Sequence, residues 1–361
     1  MKRIIQIILI IINVLAASGL LAAYCCCRIS PETVWWLGFF GLAYVPLLAI
    51  NVCCMIFWLL GKRKRYALLS AAVILSGWGF TMRYVQFFGR ELPESEKDGS
   101  IKTISFNVHM FHQKDTRQED GSMLNIFDFF NRSGADVICM QEFSASTGSA
   151  VRPEDVSRRL NMPDYHVELT GNAAGIATYS RFPIANRKLI YSDKTTNACM
   201  YTDLLINGDT IRVFNIHLKS IGFGIRQRNL LNHVIKTEYD NADVKTIRGI
   251  IRQMAEASLR RSKQVKAVEK HILESPYPVI LCGDFNDPPV SYSYQQIRGK
   301  LKDAFMESGR GMSTTYDVGQ LSKQRIDYIL HSPSLTAYGY ESPRVRLSDH
   351  YPVMCRLVRR K

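Results

Sequence analysis

The sequence predicts a layered α/β domain built around more than one sheet and preceded by three membrane-crossing helices. Three observations carry that prediction. The first ninety residues are almost wholly apolar and nearly free of charge, whereas charged, amide and turn residues return to ordinary proportions from Glu91 onward. Residues 91–100, ELPESEKDGS, read as a polar linker. Beyond them short β-rich runs recur, with helical apolar spacing between some of them. The chain therefore divides into an anchor over 1–90, a linker over 91–100 and a globular domain over 101–361.

Apolar stretches in the anchor cover 4–24, 34–60 and 67–88, each near the ~20 residues a helix needs to cross hydrocarbon. The first is too long, and too soon followed by another, to be a removable signal peptide. Tyr24 stands where a lipoprotein signal ending at Cys25 would need a small residue. Gly77, Gly79 and Arg83 interrupt the third stretch, and Arg83 is expected to snorkel toward the nearer interface. Lys2 and Arg3 hold the start inside, as Lys62, Arg63, Lys64 and Arg65 hold the second loop. Three crossings then leave the domain outside. The expectation is a multi-pass protein of a bacterial-type inner or cell membrane, with the lipid bilayer as a partner of its helices and an extracytoplasmic globular domain.

The formal net charge of +14 comes from 46 basic and 32 acidic residues; eight basic and one acidic residue precede Gly89, so half of the excess belongs to the domain. That suits a phosphate-bearing partner and, equally, an ordinary basic surface. Cysteine placement argues against a disulfide framework. Cys25, Cys26, Cys27, Cys53 and Cys54 lie in or beside the apolar stretches, while Cys139, Cys282 and Cys355 sit in strand-like runs and read as buried thiols. Cys199 is less constrained, and no spacing resembles a zinc site.

Strand-like runs follow IKTISFNV at 136–140, 176–179, 201–206, 211–218, 278–282, 325–330 and 352–357. Helical spacing predicts a short helix over 123–130 and a longer one over 255–273. Between Ser220 and Arg261 come GFGIRQRN, an acidic patch at Glu238 and Asp240, and a stripe of Val244, Ile247, Ile251 and Met254 with arginines interspersed. Packing of that stripe on its own domain is the favoured reading, with contact to a bilayer or substrate as the alternative.

Polar residues gather where apolar strands end: Asn107 in ISFN, Gln141 and Glu142 in VICMQE, Asn215 and His217 in VFNIHL, Asp284 and Asn286 in VILCGDFND, and Asp327 in RIDYIL. The segment SDHYP adds Asp349 and His350. Glu142 and Asp349 offer hard anionic oxygens suited to Mg²⁺ or Mn²⁺, and Asn107 adds a neutral one. Singly, each reads as a cap, turn or surface residue. Asp284 can accept a proton or orient water, Asn286 can hold nucleophile or phosphate, and His217 and His350 can donate to a phosphoryl oxygen gaining charge. Asp327 can fix a histidine tautomer.

The ordered series SFNVH, MQE, GIATYSRFPI, FNIHL, RRSKQ, GDFND, RIDYIL and SDHYPV, from about Ile101 to Arg360, resembles the endonuclease/exonuclease/phosphatase superfamily. That superfamily includes pancreatic-type deoxyribonucleases, apurinic-site endonucleases, sphingomyelinases and inositol-polyphosphate phosphatases. The resemblance implies a four-layer α/β/β/α sandwich of two β-sheets. It implies a metal at Asn107 and Glu142 with help from Asp349, and His217 on the scissile phosphate with Asn215 supporting that strand end. It further implies Asp284 as the base, Asn286 holding phosphate or water, and His350 paired with Asp327. Arg261 and Gln264 match a supporting Arg-x-x-Gln element. His109 departs from the acidic residue of apurinic-site endonucleases, which weighs against abasic-site repair.

The favoured expectation is hydrolysis of a phosphodiester or phosphomonoester by in-line attack of water, dependent on Mg²⁺ (or Mn²⁺), with the diester slightly ahead. The alternatives are an extracytoplasmic nuclease on DNA or RNA, a phospholipid or sphingolipid phosphodiesterase, and a non-catalytic receptor or scaffold. Phe223, Tyr292, Tyr294 and Tyr316 are candidates for stacking on bases. No obligate protein partner is inferred.

Overall fold

The computed structural model describes residues 2–112, 115–117, 123–145, 152–170, 174–193, 195–222, 241–317 and 323–360. In chain order its strands are β1 (Val85–Gln86), β2 (Ile101–Asn107), β3 (Asp115–Arg117), β4 (Met123–Asn125), β5 (Val137–Ser144), β6 (Asp164–Leu169), β7 (Ala174–Ser180) and β8 (Ile184–Ser192). They continue as β9 (Ala198–Ile206), β10 (Asp209–His217), β11 (Val279–Asp284), β12 (Lys302–Asp303), β13 (Gly311–Met312), β14 (Asp327–His331), β15 (Leu335–Glu341) and β16 (Val353–Arg359). Two six-stranded sheets result, ordered β15-β16-β2-β5-β7-β6 and β12-β14-β11-β10-β9-β8.

Both sheets are mixed. Each has one parallel pair, β2 with β5 and β10 with β11, and antiparallel neighbours elsewhere. Apolar side chains from both sheets, among them Val137, Val213, Ile280 and Val353, interdigitate in a buried layer between them. The outer face of one sheet packs on the helices Ile126–Ser133 and Pro153–Leu160 through Phe127, Phe130, Val156 and Leu160. The other packs on the helices Asn241–Leu273 and Tyr292–Arg298 through Val265, Val268, Tyr294 and Ile297. The domain is thus two mixed sheets flanked by helices, as the resemblance implies.

The parallel pairs position the site. Parallel pairing stops at Asn107 opposite Gln141, with Glu142 the next residue of β5, and at His217 opposite Asp284 in the other sheet. Gly283 permits the second pair: it lies opposite Ile216, and a Cβ there would stand 2.1 Å from the Ile216 carbonyl oxygen.

The three expected membrane crossings are corrected. Among the described residues only Ile4–Cys26, 23 residues, is long and apolar enough to cross a membrane. The stretch over 34–60 divides into a 3₁₀ turn at Trp35–Leu37 and the helices Gly38–Leu42 and Tyr44–Leu60, the last of 17 residues. The stretch over 67–88 breaks at Gly77 into Ala67–Ser76 and Trp78–Thr81 and ends in β1. A ten-residue helix reaches ~15 Å, about half the ~30 Å of hydrocarbon. The multi-pass, extracytoplasmic placement rested on three crossings and is withdrawn with them.

Arg83 corrects the reading of its own stretch, because it does not snorkel. It is buried against the globular domain, where its guanidinium meets the Pro289 carbonyl and the Gln295 side chain. The N-terminal helices share a core with Val290 from that domain. Gly249 does not interrupt the Asn241–Leu273 helix. Apart from Gly222, GFGIRQRN lies outside the described residues, as do Glu238 and Asp240.

Candidate active site

The two sheet ends face each other across a cluster of buried polar groups. Asn107, at the end of β2, donates through Nδ2 to Asp284 Oδ2 at 3.1 Å and to Glu142 Oε1 at 3.3 Å, joining the two sheets. Its Oδ1 accepts from the His109 amide at 3.0 Å. Glu142 sits at a bulge in β5 with φ of 51°, a conformation that a non-glycine residue rarely adopts and that here re-aims the side chain.

Asp284 ends β11 with 1% of its surface exposed. Its Oδ1 accepts from the Asn286 amide at 2.8 Å, and its Oδ2 accepts from the side chains of Asn107 and Asn286 at 3.1 and 3.2 Å. Both imidazoles approach that second oxygen: His217 Nε2 and His350 Nε2 each lie 3.7 Å from it. His217 Nδ1 lies 3.1 Å from the Thr196 carbonyl, a contact that requires the proton on Nδ1. Its Nε2 is buried, has no hydrogen-bond partner, and stands 3.8 Å from Glu142 Oε1.

Asp327, at the start of β14, accepts from His350 Nδ1 on both carboxylate oxygens, at 3.0 and 3.2 Å. Burial opposes charge on the His350 ring, yet the Asp327 and Asp284 carboxylates outweigh it and push its pKa up to about 10. Burial likewise raises Asp327, to about 6, against the pull of the imidazolium. The two hold one proton between them. The Tyr316 ring lies 4.8 Å from the His350 ring.

Seven sequence-derived candidates therefore converge: Asn107, Glu142, His217, Asp284, Asn286, Asp327 and His350. Asp349 and His109 form a separate pair, Oδ1 to Nδ1 at 3.5 Å. Asn215, expected to support its strand end, is tied to the facing sheet. It is fully buried between the sheets, accepting from Gln141 Nε2 at 2.7 Å and donating toward Met140 O, Ala177 O and Thr178 Oγ1 at 3.2, 2.9 and 3.3 Å. Asn215→Leu is expected to cost ~1–3 kcal/mol of stability by stranding those partners. Denaturant unfolding measures this, with kcat at low temperature unchanged; undiminished stability would refute the cross-link.

Arg261 and Gln264 brace the site from behind. Arg261 pairs with Asp287 and donates to the Lys219 carbonyl, while Gln264 Oε1 accepts from the Lys219 amide at 2.9 Å. Tyr294 is unavailable for base stacking, since it is buried and its hydroxyl donates to Asp303. Two supports had no signal in the sequence. The Thr196 carbonyl orients His217, and the Thr315 hydroxyl accepts from the amides of Ile326 and Asp327.

Two groupings suit a divalent cation. Glu142 supplies an oxygen beside the unpartnered His217 nitrogen, while Asn107 turns its amide nitrogen toward Glu142 and its oxygen toward the His109 amide. Asp284, Asp327 and His350 form a buried cluster whose ligand atoms lie within 4.8 Å of one another. The donor chemistry of the site fits a divalent metal ion.

The family model described as Endonuclease/Exonuclease/phosphatase family matches residues 104–350. The chain belongs to that family. Its general chemistry is accordingly metal-dependent phosphoester cleavage. A domain of unknown function matches residues 5–84. Among curated proteins none matches.

Several solved structures are similar. A family protein from Bacteroides thetaiotaomicron shares 20% identity over 73% of this chain and 98% of its own, with a TM-score of 0.48. The mannosyl-6-phosphatase of Bacteroides thetaiotaomicron shares 19% over 72% and 99%, with a TM-score of 0.47. A humanized D. rerio TDP2 shares 15% over 72% and 99%, with a TM-score of 0.49.

Proposed function

We propose that residues 101–361 form a Mg²⁺- or Mn²⁺-dependent hydrolase that cleaves a phosphodiester, with phosphomonoesters as the second substrate class. The observation that carries the reading is the convergence of two imidazole nitrogens on one buried carboxylate oxygen, that of Asp284, beside Glu142. One group to take a proton and two to bind phosphoryl oxygens are what in-line attack by water requires.

Asp284 takes the proton of the attacking water as the oxygen–phosphorus bond forms and the bond to the leaving oxygen breaks. Asn286 and Asn107 hold its carboxylate in one orientation. His217 presents Nε2 to the phosphate because Thr196 occupies Nδ1. His350 donates from Nε2 to an oxygen gaining charge, while Asp327 keeps the ring oriented and charged. Glu142 and Asn107 would hold the cation, with Asp349 a further candidate ligand. Bound there, a divalent ion neutralises phosphoryl charge and polarises the phosphorus–oxygen bonds.

Full chelation is expected to abolish turnover, and Glu142→Gln is expected to raise the Mg²⁺ concentration for half-maximal rate, with excess Mg²⁺ restoring part of kcat. Unchanged turnover after verified metal removal would overturn the cation assignment.

The apolar residues Ile4, Ile8, Ile11 and Leu15 are exposed along the Lys2–Cys26 helix, which favours contact with a lipid bilayer. A lipid phosphodiester is for that reason preferred over DNA or RNA. A panel of DNA, RNA, phospholipid, sphingolipid and phosphorylated sugar, run on the whole chain with Asp284→Asn as control, tests the reading. No metal-dependent turnover of any of them would reject it in favour of a scaffold.

A further inference from the structure

We propose that Arg83 is a positioning residue of the active site, through which the N-terminal helical unit sets the two loops carrying Asp284 and Asp327. The inference rests on the hydrolase reading for its kinetic consequence and on the geometry of the junction for its basis.

The loop after Asp284 reads Phe285-Asn286-Asp287-Pro288-Pro289-Val290. Two successive prolines have no amide N–H and fix their φ angles, so the segment is stiff and must be located mainly through its carbonyl oxygens. Those oxygens are taken in turn. The Tyr328 hydroxyl lies 2.8 Å from the Asp287 oxygen, the Ser291 amide donates to the Pro288 oxygen at 3.0 Å, Arg83 Nη1 to the Pro289 oxygen at 2.7 Å, and Cys26 Sγ to the Val290 oxygen at 2.8 Å. Two of these four donors come from the N-terminal unit. Because Asn286 orients the Asp284 carboxylate through both its amide and its side chain, a shift of the stiff segment reaches the base directly.

Arg83 also holds the second loop. Its own carbonyl accepts from Arg325 Nη1 at 2.9 Å, two residues before Asp327. Arg325 is fully buried and paired with Asp303, so its guanidinium is a fixed post. The loops are tied to each other by the Phe285 amide, which donates to the Ile326 carbonyl at 2.8 Å. The Arg83 guanidinium is itself fixed by Gln295 Oε1 at 2.9 Å and by the rings of Phe80 and Tyr294, at 4.7 and 5.2 Å. A planar fork stacked between rings can serve Pro289 and Gln295 together; an ammonium cannot reproduce that geometry.

The test compares full-length wild type, Arg83→Gln, Arg83→Lys and Gln295→Ala by steady-state kinetics and by amide hydrogen exchange. Misplacement of a reacting group by ~1 Å costs ~10²-fold. Arg83→Gln is therefore expected to lower kcat by about 10- to 100-fold with KM within about twofold, and Arg83→Lys to fall between it and wild type. Exchange should quicken at 285–291 and 325–328 while the rest of the domain stays protected. Wild-type kcat in Arg83→Gln, or exchange unchanged in both segments, overturns the proposal.

Should Arg83→Gln fail to fold, Gln295→Ala carries the same readout: faster exchange at 285–291 with a lower kcat supports the proposal, and wild-type values refute it. If wild type turns over no phosphoester at all, the hydrolase reading fails, and the positioning proposal falls with it even where exchange shows the junction contacts.

Discussion

Asp284→Asn is expected to lower kcat by ~10²–10⁴-fold, the usual contribution of a positioned proton-transfer group, with the fold retained. The side chain is nearly isosteric, but the site discriminates strongly against it. One carboxylate oxygen faces the Asn286 amide and the other faces two side-chain amide donors. An asparagine must turn its own NH₂ toward one of these sets, at a cost of ~1–3 kcal/mol for the unmade bond. The variant should therefore unfold slightly earlier while remaining fully folded by circular dichroism at assay temperature. Wild-type kcat from the folded variant would eliminate Asp284 as the base.

His350→Ala is expected to cost a similar ~10²–10⁴-fold, and Asp327→Asn less at neutral pH, since it leaves the ring in place. The sharper distinction is in pH dependence. Burial disfavours the imidazolium, but the two carboxylates beside it hold His350 protonated up to about 10. Its charged form, and the stability tied to it, is present in full below the ordinary histidine value of ~6.5 and is lost as pH rises through about 10. Removing the Asp327 charge lowers that upper limit, so the alkaline limb of kcat should move to lower pH in Asp327→Asn. Rate profiles of wild type and variant decide the matter, and superimposable alkaline limbs would count against proton donation by His350.

The strands legible in the sequence and those that were not differ in a physical way. The runs that became β2, β5, β7, β9, β10, β11, β14 and β16 lie in sheet interiors, where both faces are covered and the residues are mostly apolar. The longer strands missed are β6, β8 and β15, all at sheet edges. β8, IANRKLIYS, is largely exposed and carries Arg187 and Lys188, as an edge that must resist further pairing does. Partly exposed edge strands such as β6 and β8 lose the apolar pattern on which strand recognition depends, whereas β15 is mostly buried.

The polar groups of the site were legible for a related reason. His217 and Asp284 interrupt runs that are otherwise apolar, so they stood out. Asn215 shares that signature, and spacing alone could not separate an amide that bridges two sheets from one that meets substrate. The expectation of three crossings failed through composition: average apolarity does not register the breaks at Ala43 and Gly77, nor that Arg83 has partners two hundred residues away. Arg83 reads as an isolated charge until its partners are known.

The pairing of β16 with β2 has a consequence for synthesis. Ile101 lies opposite Leu357, and β16 occupies the place between β15 and β2, so the sheet bearing Asn107 and Glu142 cannot close until Val353–Arg359 has left the ribosome. Joining strands so far apart in sequence is slow, because the entropy of closing the intervening loop is lost before any contact compensates for it. His350 lies in that same late segment. Once Asp284 has been made, Asn107, Glu142, His217 and Asp284 thus remain an inert array until Val353–Arg359 pairs with β2, and hydrolytic competence arrives in one step rather than growing with length.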